Sequence, residues 1–355
     1  MSAITDVQRR PRDRVARAYR LHWLLLGMLL LACLAGLQIG ATDVRLSDVS
    51  ARILQGQPLS QMERVVLWDI RLPRLVMGVL VGAALAVSGA VMQGLFRNPL
   101  ADPGIVGVSA GAGLGAILAI MLGAQAPAWL AGAVGPHAVP LAAFLGGWGS
   151  TLLLYRVATR RGHTSVATML LAGIALGALA AALSGVLVYM ADDQQLRDLT
   201  FWGLGSLAGA NWAKVLAAGP MILVATGASL TLARGLNGLA LGEAMAAHIG
   251  IEVQRVKILA ILAVAAATGA AVSVSGGIGF VGIVVPHLLR LASGPDHRAL
   301  LLNAALLGAI LLVFADVIAR VVIAPAELPI GIVTAVLGAP VFLWILLKRR
   351  GLVDL

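Results

Sequence analysis

Long apolar runs dominate the chain, and polar residues are confined to the short gaps between them. A helix needs about twenty apolar residues to cross a bilayer core. On that measure the runs predict ten spans, at 21–41, 72–95, 104–124, 138–158, 166–190, 212–233, 257–275, 278–292, 300–320 and 329–347. A membrane barrel would alternate polar and apolar residues with far weaker hydropathy. The pattern therefore predicts an all-α polytopic membrane protein. No gap is long enough for a separate domain, so residues 1–355 read as a single transmembrane unit.

Composition agrees with the pattern. The chain is 60% hydrophobic and 12% charged, with a mean hydropathy of +0.95. Soluble domains carry about 25% charged residues, so this chain cannot present an ordinary water-facing surface. The net charge of +10 raises nucleic acid as a partner. The basic residues, however, are dispersed over many gaps and form no single patch. With a cytoplasmic N-terminus, the inner gaps hold Arg9, Arg10, Arg12, Arg14, Arg17, Arg20, Arg97, Arg156, Arg160, Arg161, Arg234, Arg255, Lys257, Arg290, Arg298, Lys348, Arg349 and Arg350. Most of the 26 basic residues are in that set, as the positive-inside rule requires. Both termini are then cytoplasmic, and the first span reads as an uncleaved helix behind a basic segment, 1–20, rather than a signal peptide. The outer gaps 42–70 and 191–211 carry acidic residues and predict short amphipathic segments. Cys33, the single cysteine, can form no intrachain disulfide and reads as a small packed hydrophobe.

The stretch from Gly269 to Arg290 is the most heavily punctuated. Its Gly277, Gly279 and Gly282 spell G-x-G-x-x-G, a dinucleotide fingerprint that needs a preceding strand and a soluble βαβ unit. Membrane segments flank it, so the glycines read as a tight turn and close helix packing. Pro286, His287 and Arg290 are expected to end that span, with His287 bonding the backbone that the proline frees. An internal repeat accompanies it. Gly82–Gly89 reads GAALAVSG and Gly269–Gly276 reads GAAVSVSG, with a proline ten residues beyond each, Pro99 and Pro286. The copies start five spans apart and so face opposite ways, the inverted design of many transporters.

Candidate chemistry is sparse. The chain contains no Gly-Lys dipeptide, so it has no Walker A loop. The histidines show no ligand spacing within one span, and no bound metal or cofactor is expected. Membrane acids that could carry protons are nearly absent. Asp316 is the exception, placed one turn before Arg320 as an i,i+4 pair. A pathway without a coupling group implies energy from another subunit. The inner gap 234–257 is where that subunit could push, through a helix from about Leu239 to Ile249 closed by Gly250. The plainer alternative is an amphipathic connector. Arg71, Arg74 and Arg320 stand at the outer span ends, as membrane anchors satisfied by Asp69 and Asp316 or as basic points for an acidic partner.

Four segments resemble a known family: 71–113, beginning RLPRLVMGVLVGAALAVSG; 236–250, LNGLALGEAMAAHIG; 276–290, GGIGFVGIVVPHLLR; and 327–347, beginning ELPIGIVTAVLGAPV. Together they are similar to the FecCD permeases of type II ABC importers, which take up haem, iron-siderophores or cobalamin across the bacterial inner membrane. The resemblance implies a homodimer with the pathway on its two-fold axis, two cytoplasmic ATP-binding subunits below and a periplasmic binding protein above. ATP and Mg would then belong to the partner subunits, and the chain would not itself be an enzyme. It implies that Gly242, Glu243, Ala244, Ala247 and Gly250 receive the ATPase. Arginines matching Arg71, Arg74 and Arg320 would meet acids of the binding protein. Asn98 and Leu100 match the cytoplasmic gate, with Thr164, Ser165 and Thr168 as its partner at the start of the fifth span. By overall similarity the expected substrate is haem, then siderophore, then cobalamin. A stand-alone secondary transporter or channel is the alternative of a different class.

Overall fold

The computed structural model describes residues 2–40, 44–123, 127 and 134–349. Its elements are, in order, α1 (Ser2–Gln38), α2 (Leu46–Leu54), α3 (Gln61–Leu95), α4 (Val108–Gly123) and α5 (Ala138–Ala158). A small antiparallel hairpin follows, β1 (Thr159–Arg160) and β2 (His163–Thr164), then α6 (Val166–Tyr189), α7 (Asp193–Leu204) and α8 (Trp212–Thr231). The chain continues with α9 (Ala233–Ala240), α10 (Glu243–His248), α11 (Val253–Ser275), α12 (Val281–Ser293), α13 (His297–Val321) and α14 (Ile330–Arg349). Among the described residues, seven helices are long and apolar enough to cross a membrane, and three shorter apolar helices, Val108–Gly123, Val281–Ser293 and Ile330–Trp344, fall where further spans are predicted. The expected amphipathic segments are α2 and α7.

Helices α3, α11 and α13 form the interior, and α6 is the least buried of the long helices. Large apolar side chains on α6, among them Leu171, Ile174 and Val186, are exposed, as expected of a surface that faces lipid or another chain.

The two copies of the repeat run in opposite directions. Near its start α3 meets α8, where the Trp212 Nε1–H donates to the Trp68 carbonyl at 2.8 Å. At its far end Gly94 packs on His297 at the start of α13. Helix α11 runs the other way, finishing beside the α7–α8 connection, where the Ser206 N–H donates to the Ser275 carbonyl at 2.8 Å. Each copy also packs on helices from the other half: α3 on α12 and α13, α11 on α4 and α5. The two halves thus interlock.

Three expectations need correction. Helix α3 starts at Gln61 and not at 72, because Ser60 and Glu63 form a capping box. It continues through a π-helical turn at Val65–Arg71. The inner-gap helix predicted over 239–249 is two helices, α9 and α10, broken at Gly242 with φ 101°. Gly250 does close α10, at φ 82°. Lastly, Pro286 lies inside α12 and does not end it. A helical proline leaves the carbonyl four residues back without its donor. That carbonyl is Gly282, and the Gln93 side-chain amide donates to it at 3.3 Å and to the Ile283 carbonyl at 3.3 Å. Gln93 from α3 thus answers the carbonyl that the proline frees. Gly277 and Gly279 lie in the turn 276–280, where Gly276 and Phe280 both have positive φ, and no nucleotide fold surrounds them.

Candidate functional site

Two of the three arginines at the predicted outer end, Arg74 and Arg320, come together around one carboxylate, that of Asp316. Arg74 Nε donates to Asp316 Oδ1 at 2.9 Å and Oδ2 at 3.1 Å. Arg320 Nε pairs with Asp316 Oδ2 at 3.2 Å, across one turn of α13. The second arm of Arg74 holds both oxygens of Glu327 at 2.9 Å. Arg71 instead reaches the carbonyls of Leu37, Gln38 and Val44, while Arg320 also donates to Gly36 and Ile39. All three arginines and Asp316 are buried. Glu327 is the outlet of the cluster, with its side chain 35% exposed. A buried cation is tolerated only when its donors find acceptors. The cluster therefore staples α1, α3, α13 and the start of α14, and its arginines do not project as free basic points.

At the opposite, basic end lie the residues of the inner gap. Helix α9 buries Leu236 and Leu239, and Asn237 fixes it to the next layer. The Asn237 side chain donates to Asp296 Oδ1 at 2.7 Å and accepts from the His297 N–H at 3.0 Å. Asp296 caps α13 through the Arg298 N–H at 3.0 Å. Burial raises its carboxyl pKa, but that is outweighed by the hydrogen bonds from Arg298 and Asn237 and by nearby positive charge, so the net shift is downward. Helix α10 buries only Ala246. Glu243, Ala244, Ala247 and Gly250 are exposed, and Gly242 is half-buried. Leu241, Met245 and Ile249 are 66%, 54% and 57% exposed. Leu241 caps the end of α9, Met245 lies within α10 and Ile249 follows it, and together they make an exposed apolar ridge outside the predicted spans, on a tethered segment.

The gate candidates divide into two groups. Asn98 and Leu100 form the turn after α3, in which the Leu100 N–H donates to Asn98 Oδ1 at 2.9 Å and Arg97 has φ 50°. Thr164 is buried in the hairpin, while Ser165 caps α6 by accepting from the Thr168 N–H at 3.2 Å. Ser165 and Thr168 are exposed. The short helix Pro103–Val106, which follows the Asn98–Leu100 turn, packs on α6. The two groups therefore belong to neighbouring elements.

Sequence reasoning missed Gln93, Asp296, Glu327, Gln254 and the role of Lys257. Lys257 had a legible signal: it opens an apolar helix with no acid three or four residues away. Its charge had to be answered from elsewhere in the fold. Among the described residues, no three His, Cys, Asp or Glu side chains gather as a metal site.

Comparison with known proteins gives a consistent answer. Residues 28–348 match the FecCD transport family. The chain is 46% identical over 327 residues to the hemin transport system permease protein HmuU of Yersinia pestis, covering 92% of this chain and 96% of that one. It is 43% identical over 339 residues to the vitamin B12 import system permease protein BtuC of Escherichia coli O157:H7, covering 94% and 98%. Among solved structures, an inward-facing ABC transporter ascribed to the metal-chelate type matches with TM-score 0.81 at 32% identity, covering 93% of this chain and 99% of that chain.

Proposed function

The chain belongs to the FecCD transport family, and we propose that it is the membrane permease of an ATP-driven haem importer. It is an integral membrane protein, and its relatives are permease subunits. The reading places it in a bacterial inner membrane with ten spans and both termini in the cytoplasm, which suits the distribution of arginine and lysine. The exposed apolar faces of α6 and α8 suit a second copy, with the pathway between the two.

The observation that carries the reading is the exposed apolar ridge of Leu241, Met245 and Ile249 in and beside α10. An exposed apolar ridge held rigidly at the basic end is a surface for another protein. With no phosphate-binding loop in this chain, we assign that protein as a separate ATP-binding subunit, received by Gly242, Glu243, Ala244, Ala247 and Gly250. ATP-driven movement there would switch the Asn98–Leu100 turn and the Thr164–Thr168 segment. At the other end, a periplasmic binding protein would reach Arg74 by displacing Glu327, with Arg71 and Arg320 holding the site from beneath.

Haem is favoured because the identity to a hemin permease is 46% over 327 residues, against 46% over 300 residues for one vitamin B12 permease and 43% over 339 residues for another. The latter figures support cobalamin as the second reading. Proteoliposomes holding this chain, its ATP-binding subunits and a loaded binding protein test both. ATP-dependent hemin uptake is expected. Uptake of cobalamin but not hemin would overturn the substrate. Uptake by the chain alone under an ion gradient would replace the importer with a secondary transporter.

A further inference from the structure

Three buried polar centres stand out: the Asp316 cluster, the His297–Asn237 contact and Lys257. Only the last spans two parts of the proposed machinery. Its side chain is 3% exposed, yet its ammonium has two acceptors from distant stretches of chain. Lys257 Nζ donates to Glu243 Oε2 at 2.8 Å and to the Thr164 carbonyl at 2.8 Å. Glu243 is the first residue of α10, the exposed docking helix. Thr164 ends the hairpin, and Ser165, the cap of α6, follows directly.

A second bond runs in parallel. Gln254, one turn before Lys257 on α11, accepts from the Thr164 N–H at 3.0 Å through Oε1. Both backbone groups of Thr164 are thus held by side chains of α11. The hairpin is closed from within by the Thr159 and Thr164 hydroxyls at 3.0 Å and by the Ser165 N–H to the Ala158 carbonyl at 2.9 Å. The Glu243 carboxylate is 45% exposed and faces the docking side. The lysine lies inside and the glutamate at the surface.

We propose that Lys257 couples the ATPase-docking helix to the start of α6, so that the two move as one body during transport. The physical reason is the cost of stranding a buried ammonium. If α10 shifted while the hairpin stayed, Lys257, its side chain only 3% exposed, would lose Glu243 or Thr164. Removing one partner of a buried charge costs far more than the pair contributes net. A displacement of Glu243 is therefore passed to Thr164, and from there to Ser165 and the first turn of α6. The inference rests on the permease reading above and adds a positioning residue to it.

The test uses the assembled complex in proteoliposomes and reads two rates, ATP hydrolysis and hemin uptake. Lys257→Met keeps length and packing but removes both bonds. Hydrolysis is expected to persist while hemin moved per ATP falls about tenfold, within the usual range of coupling between sites. Lys257→Arg, which keeps the charge, is expected to recover part of the ratio. An unchanged ratio in Lys257→Met would overturn the inference. The wild-type complex separates the two levels: if it shows no ATP-driven uptake, the permease reading has failed instead. Should Lys257→Met not assemble, spin labels at Ala244 and Ala167 in an otherwise wild-type complex, with Cys33 replaced, decide the matter. A separation that stays constant across nucleotide states supports the coupling, and one that changes with nucleotide overturns it.

Discussion

The Gln93 side chain donates to the Gly282 carbonyl, the acceptor that Pro286 leaves without a partner in its own helix. Both helices are arranged for this contact. Gly89, one turn before Gln93, lies against the Gly282 backbone so closely that a Cβ at position 89 would overlap it. The same Gln93 accepts from Arg290 Nη1 through Oε1. One glutamine therefore lets a proline stay in a membrane-depth helix and ties that helix to α3.

Replacing Gln93 by Met should leave the Gly282 carbonyl buried and unsatisfied, at a cost of about 1–3 kcal/mol. Adding Pro286→Ala restores a backbone donor four residues on. The double variant is expected to recover much of the lost thermal stability in detergent. Additive losses in the two variants would show that Gln93 does not serve the proline.

Gly89→Val places a branched side chain where the Gly282 backbone already lies, and overpacking of that kind costs about 1–3 kcal/mol. Gly177 on α6 has nothing within 4 Å of an added Cβ. Gly177→Val is thus the matched control and should not lower the unfolding temperature. Equal shifts in the two variants would count against close packing of α3 and α12.

Asp316 and Glu327 share Arg74 but should behave differently. Asp316→Asn removes the negative charge that two buried guanidinium groups share, and breaking a buried pair from one side costs about 3–5 kcal/mol. A sharp fall in folded yield is expected. Glu327 is part-exposed, so Glu327→Gln should keep the fold and free one arm of Arg74. If the binding protein docks by displacing Glu327, its affinity for Glu327→Gln permease at low salt should rise several-fold. Unchanged affinity would remove Arg74 from that interface.

Gly242 separates α9 from α10 at φ 101°, ψ 151°. Side chains with a Cβ avoid that region at a cost of about 1–3 kcal/mol. Gly242→Ala should tilt α10 and weaken retention of the ATP-binding subunit on an affinity column, while the membrane helices keep their unfolding temperature. Full retention would mean that the break between the helices is not what presents the ridge.

The sequence by itself determined the membrane class, the places of the long apolar helices apart from the start of α3, and the antiparallel pair of repeats. These rest on local quantities, run length and spacing, which a bilayer converts directly into helices. It also marked the glycines at 236–250 and the arginines at the outer ends as unusual. It did not determine what those residues touch. Arg74 and Asp316 are 242 positions apart, Gln93 and Gly282 189, and Lys257 and Thr164 93. In an apolar interior each buried charge or freed carbonyl must find a partner, and nothing local indicates which one. That choice is made by the interlocking of the two halves, which brings α3 against α12 and α13 and α11 against the hairpin. Only the tertiary structure set Arg74 and Arg320 on a buried carboxylate, Arg71 on backbone carbonyls and Lys257 between Glu243 and Thr164.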